Sequence, residues 1–154
     1  MNAANIVDIT GLFLFLAGYV LGLGAVTVID IHGFLGRTSS YWTEATTRTH
    51  KVTKPLIWAG IACTMIGGLI FYRGHYTATI PLIQAAIAVV LILNGCFLSF
   101  RVSPFLLERE KHGTSKELLP ASWQRKIMVS LLFSDLGWWG SLLLLVVYLV
   151  TTKI

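Results

Sequence analysis

The chain has 154 residues, of which 55% are hydrophobic and 12% charged, against about 25% charged in an average soluble domain. With a mean hydropathy of +0.74, this composition excludes an ordinary soluble fold and leaves no room for a separate soluble module. The net charge of +5 lies almost wholly between apolar runs and carries no aromatic-basic stripe, so it reads as membrane orientation and not as nucleic-acid binding.

The first apolar run, Ile9–Ile29, is preceded by Asp8 and by no Lys or Arg; the first cation is Arg37. Without a basic segment ahead of it, this run reads as a retained first span and not as a cleaved signal. Gly18 and Gly22 lie four apart in it, and Asp30 and His32 close it. In the connection 33–54, Phe34, Tyr41, Trp42, Ala45 and Val52 recur at helix-like spacing behind the capping candidates Thr38, Ser39 and Ser40. A short amphipathic helix near 40–53, lying in the headgroup region, is expected, with Pro55 opening the second span where its missing N–H does no harm.

The second span, Leu56–Tyr72, carries Gly60, Thr64 and Gly68 at four-residue spacing. A tight loop with a solvated His75 leads to the third, Ile80–Phe100, which holds Asn94. The next connection, with Ser103-Pro104, Pro120 and a solvated His112, reads as irregular from 101 to 122. The last run, Ile127–Val150, contains the small pairs Ser130/Ser134 and Gly137/Ser141, the dipeptide Trp138-Trp139, and one ionisable residue, Asp135. Runs of this length and polarity must be helices in lipid, because backbone groups there find no water. The expected fold class is therefore all-α: a single-domain, integral membrane bundle of four transmembrane helices with a short interfacial helix in the first long loop. The small-xxx-small pairs are read as close contacts inside one bundle. The oligomeric state is left open.

Ten of the twelve Lys and Arg residues fall in 33–54 and 101–126, against Arg73 and Lys153 on the other side. The positive-inside rule places both long connections in the cytoplasm and both termini outside it, as expected for a bacterial inner-membrane protein. Tyr41, Trp42, Trp58 and Trp123 then sit near the cytoplasmic face, and Tyr72 and Tyr76 near the outer one.

Asp135 is the sharpest chemical feature, since a carboxylate in a bilayer costs on the order of 2.5–3.5 kcal/mol on insertion scales and needs a partner. At 1.5 Å per residue it lies about 13 Å in from Lys126, Asn94 about 10 Å in from Arg101, and Thr64 about 13 Å in from Pro55. An Asp135–Asn94 hydrogen bond with Thr64 at the same level is the first expectation. It serves either as a polar clamp between helices or as a proton or small-ligand site. A second cluster gathers Asp30 and His32 at the end of span one with His50 before span two. Paired imidazoles suit haem b, and Asp30 and Glu44 could join them around a divalent metal. Ordinary interface histidines are the plain alternative. Trp138-Trp139 is read as core packing ahead of a pair of faces for a planar ligand. Cys63 and Cys96, without a Cys-x-x-Cys, read as small hydrophobes.

In plan, with a charged loop after span one and the stretch Arg48-Thr-His50-Lys-Val-Thr-Lys54-Pro55-Leu-Ile-Trp58-Ala-Gly60 opening span two, the chain resembles the small four-helix membrane proteins of the copper-resistance D and HemJ-type protoporphyrinogen oxidase group. The resemblance implies haem, porphyrin or copper handling. The histidine within span one and the lysine within span three that mark that group are missing here. Three functional expectations follow. The first is an accessory membrane subunit without a conventional active site, its basic loops contacting anionic lipid or a protein partner. The second is a haem- or metal-binding protein using His32 and His50, and the third a small transporter or proton site centred on Asp135.

Overall fold

The computed structural model describes residues 3–152. Four rods, each long and apolar enough to cross a membrane, make up the bundle, and no strand occurs among the described residues. Helix α1, Ala3–Leu35, runs six residues past the apolar stretch that defines it in sequence. A short turn follows, closed by Gly36 N–H donating to His32 O at 2.8 Å. Ser39 then caps α2, Ser40–Phe71, its hydroxyl accepting from Trp42 N–H at 3.5 Å.

The segment 40–53 is helical as expected, but it is no separate interfacial helix. It continues through Pro55 into the second span as one 32-residue helix. Threonine chemistry accounts for this. Thr43, Thr47 and Thr53 are buried, and each hydroxyl donates to the carbonyl four residues earlier, at 2.9, 3.2 and 3.1 Å. With their hydroxyls answered locally, these residues pack as short apolar groups. Pro55 and Lys51, one turn earlier, are both on the exposed side, where the bond that proline cannot make is readily replaced.

The third rod differs more from expectation. Helix α3, Thr79–Phe97, passes through a π turn at Leu98–Val102 straight into α4, Ser103–Lys111. The region expected to be irregular from 101 is thus helical to Lys111. Pro104 does not break it because it falls in the first turn of α4, where an N–H has no obligatory partner, just after the π turn has reset the register. The remaining turn is fastened by Arg109, whose guanidinium donates to Thr114 O and Glu117 O, both at 2.9 Å, and Gly113 supplies a φ of +73° that favours glycine. Helix α5, Ala121–Thr152, completes the bundle.

The closest contact is between α1 and α2, and glycine makes it. A methyl group on Gly60 would lie 2.5 Å from the Cα and N of Gly22, and one on Gly18 2.5 Å from Thr64 N. The small residues noted on spans one and two therefore face each other. Gly67, and not the expected Gly68, is the one pressed on the Phe15 backbone. Trp138 of α5, 1% exposed, lies on Gly22, and Gly137 meets Leu91 of α3. The core of Phe15, Tyr19, Val26, Leu91, Trp138 and Leu145 fills the far half of the bundle. Val102, Leu106, Ile127 and Leu131 fill the half nearest the basic connections. Outside, Phe13, Val20, Leu93, Leu132, Leu136 and Leu143 are exposed. This is the inverse of a soluble surface and the form that lipid covers.

Adding a methyl at the α1–α2 seam therefore carries a penalty. Gly60→Ala is expected to lose about 1–3 kcal/mol, the usual cost of overpacking. Gly24→Ala, where nothing lies within 4 Å, is expected to be neutral or slightly stabilising. Unfolding in detergent micelles checks both, and equal effects would contradict the packing.

Candidate functional site

At the basic end all four rods turn one face toward a partly open cavity of about 70 Å³, with Arg37 at its edge. Helix α1 contributes Val26, Asp30 and Gly33; α2 contributes Thr43, Thr46, His50, Lys54 and Ile57. The third rod brings Gly95, Leu98, Ser99 and Val102, and α5 brings Gln124, Ile127, Leu131 and Ser134. Spacings of three and four residues are those of one helix face. The π turn forms one wall, a placement common for such turns at functional sites, and Trp58 Nε1–H ties it to α2 by donating to Ser99 Oγ at 3.1 Å.

Two ionisable groups give the cavity its chemistry. Asp30 is 8% exposed, and its Oδ2 is buried without a hydrogen-bond partner; His50 Nε2 is likewise buried and unpartnered. Lys54, one helical turn from His50, lines the same space and acts on the imidazole through its charge. From α5, the half-buried Asp135 approaches Asp30 closely enough for the two carboxyls to act on each other electrostatically. A carboxylate only accepts, so the two carboxyls can bond to each other only with a proton between them.

Asp135 thus has a partner, but not the expected one. Asn94 is bonded to Ser130 instead: its Nδ2 donates to Ser130 O at 3.0 Å, and Ser130 Oγ donates to Asn94 Oδ1 at 2.7 Å. Ser130 precedes Asp135 by five residues, which on a helix is a rotation of about 140°, so one side chain of α3 cannot serve both. Thr64 is also elsewhere occupied, donating to Gly60 O and Ile61 O at 3.0 and 2.9 Å inside its own helix.

The histidine cluster separates as well. His32 Nδ1 pairs with Thr49 Oγ1 at 3.2 Å, and its ring packs on Trp42 at 5.1 Å between centroids. Glu44 is taken by Arg48 at 2.6 Å. His50 and Asp30 share the cavity without either of them. Among the described residues no three His, Cys, Asp or Glu side chains gather as a metal site would need. The residues present therefore do not gather as the four-residue metal set. Nor do the two tryptophans flank a ligand space, since Trp138 is in the core, edge-on to Tyr19 at 6.0 Å, while Trp139 points outward.

A second polar knot lies in the far half, and the sequence did not announce it. Tyr72 O–H donates to Gln84 Oε1 at 2.6 Å, and Gln84 Nε2 donates to Ser141 O at 2.8 Å and to Tyr19 Oη at 3.4 Å. Tyr19 and Ser141 hydroxyls pair at 2.7 Å. The knot satisfies itself, and apolar Val26, Leu91 and Trp138 lie in the core between it and the cavity. Ser99 went unremarked in the sequence, and Lys54 and Ser134 stood there only as a cation and a small residue, because nothing in their local pattern shows which helix face turns inward. For the Asp30–Asp135 pair a signal did exist. Apart from Asp8 at the opposite end, these are the two acidic residues inside or bordering an apolar run.

Comparison with protein-family models, with curated proteins and with solved structures gave no match.

The carboxyl contact makes a thermodynamic prediction. Asp30→Leu and Asp135→Leu each leave a carboxyl without its partner and should each cost about 1–3 kcal/mol. The double variant removes both groups and should be no less stable than either single one. A double-mutant cycle in detergent, read by thermal unfolding, measures the coupling; strictly additive losses would show that the two groups do not interact.

Proposed function

We propose that the protein is a small integral membrane proton-binding protein of the transporter kind, in which the Asp30–Asp135 pair takes up and releases one proton beside the His50–Lys54 cavity. The buried, unpartnered Asp30 carboxyl and His50 imidazole on one cavity, with the Asp135 carboxyl close to Asp30, carry this reading. Its force comes from contrast within the same molecule. Where this bundle only needs to hold two helices together, neutral groups do it, as in the reciprocal Asn94–Ser130 pair and the Tyr19–Gln84–Ser141 knot. An accessory subunit held by packing alone would need nothing more. A pair of carboxyls is costlier, and its distinctive property is that it binds a proton.

In this reading, loss of the shared proton leaves two adjacent carboxylates facing one ammonium. Their repulsion and the unpartnered His50 Nε2 then favour entry of water or a small cation, or transfer of a proton through the imidazole. The positive-inside rule puts the cavity on the cytoplasmic side. The core around Trp138 lies between it and a far-half pocket of about 490 Å³ that Trp138 also lines, so passage between the two requires α5 to shift against α1.

Reconstitution into liposomes with an internal pH dye and an imposed potassium diffusion potential tests this. Wild-type protein should carry protons faster than protein-free liposomes, and Asp30→Asn and Asp135→Asn should each lower that flux by at least an order of magnitude. A flux equal to that of empty liposomes, or one unchanged in the double asparagine variant, would refute the reading.

A further inference from the structure

On the outer side of the bundle, α3 and α5 leave a groove of about 790 Å³ at the basic end. Both walls change character in the same direction. Along α5 they pass from Arg125 and Lys126 to Val129 and Phe133, and along the third rod from Arg101 to Phe97. Eight residues, about 12 Å of helix, separate the cationic rim from the apolar end. No acidic side chain lines the groove.

Four of the chain's other cations are engaged within the protein, while Arg37, Lys54, Lys111 and Lys116, like the rim, face no carboxylate among the described residues. Arg48, Lys51 and Arg73 face Glu44, Glu110 and Asp8, and Arg109 serves backbone carbonyls. Among the described residues Arg101, Arg125 and Lys126 face no carboxylate; Lys126 lies over the Trp123 ring at 5.1 Å, and that ring is stacked on Phe105 at 4.2 Å. The floor is closed by the reciprocal Asn94–Ser130 bonds, so it presents no unanswered polar group.

We propose that this groove binds one anionic phospholipid, its phosphate among Arg101, Arg125 and Lys126 and an acyl chain along Phe97, Val129 and Phe133. Charge complementarity fixes the headgroup, since guanidinium and ammonium groups around an open pocket suit a phosphate. The apolar continuation selects lipid over a soluble anion, which would leave the three apolar side chains bare. The site is independent of the carboxyl pair, which lies on the inner side of the bundle.

Native mass spectrometry of the detergent-solubilised protein, titrated with phosphatidylglycerol or phosphatidylcholine, is the test. Wild-type protein should retain one phosphatidylglycerol more than tenfold more tightly than phosphatidylcholine. The variant Arg101→Gln/Arg125→Gln/Lys126→Gln should lose that preference, and Arg48→Gln/Lys111→Gln/Lys116→Gln, equal in charge removed, should keep it. Val129→Trp/Phe133→Trp, at lipid-facing positions with every cation intact, should also lose retention by filling the chain path, which covers the case of a misfolded charge variant. Equal binding of the two lipids, equal loss in both charge variants, unchanged retention in the tryptophan variant, or displacement of the lipid by equimolar inorganic phosphate would each overturn the proposal.

Discussion

Inside an apolar slab a polar side chain can be answered only by another part of the protein, and this constraint organises the whole bundle. Each helix carries polar groups at depths where water does not reach, and each is met in one of two ways. Threonines turn their hydroxyls back onto their own helix. Longer groups reach across to another helix, as Asn94 does to Ser130, Trp58 to Ser99 and Gln84 to Ser141. Reaching across requires close packing, which Gly137 on Leu91 and Gly95 beside Trp58 provide for these pairs and the Gly18–Gly22–Gly60 seam provides between α1 and α2. The same seam lets Trp138 settle on Gly22 and so draws α5 toward α1. Asp135 and Asp30 lie on these two helices.

The carboxyl pair is the one place where the constraint is met by groups that can also ionise. Among the other described residues that reach across the interior, the partners named above are neutral and bonded. Around Asp30 the bonding is incomplete: an unpartnered Oδ2, an unpartnered His50 Nε2, and a lysine at the cavity wall. Partly satisfied polar networks in a low-dielectric interior are costly, and here the cost is concentrated in one cavity on the basic half. The far half holds an apolar core and a self-satisfied knot, beside a pocket of about 490 Å³ that Tyr19, Tyr72, Gln84 and Trp138 help to line.

Much of the fold was legible because run length and charge placement are strong signals in a membrane sequence: the four spans, the all-helical class and the inward-turned small residues follow from them. Helix ends were less so. Pro55, Pro104 and the charged stretches beside them read as interruptions, yet threonine back-bonding carries α2 through the first and a π turn carries the third rod through the second. At the site, depth could be counted but direction around the helix axis could not. Depth brought Asp135 level with Asn94, while the roughly 140° between Ser130 and Asp135 sent Asn94 to the serine. Asp30 was legible as a polar residue at a helix end, but its proximity to His32 in sequence obscured the cavity it shares with His50, because residues two apart face different sides of a helix.

The proposed function requires one proton held between the two carboxyls. Infrared spectroscopy of the protein in lipid at neutral pH measures it directly, through the C=O stretch that only a protonated carboxyl shows and its shift in heavy water. One such group per molecule is predicted, lost or displaced in each of Asp30→Asn and Asp135→Asn. A spectrum with no protonated carboxyl, or one that both substitutions leave unchanged, would contradict the account.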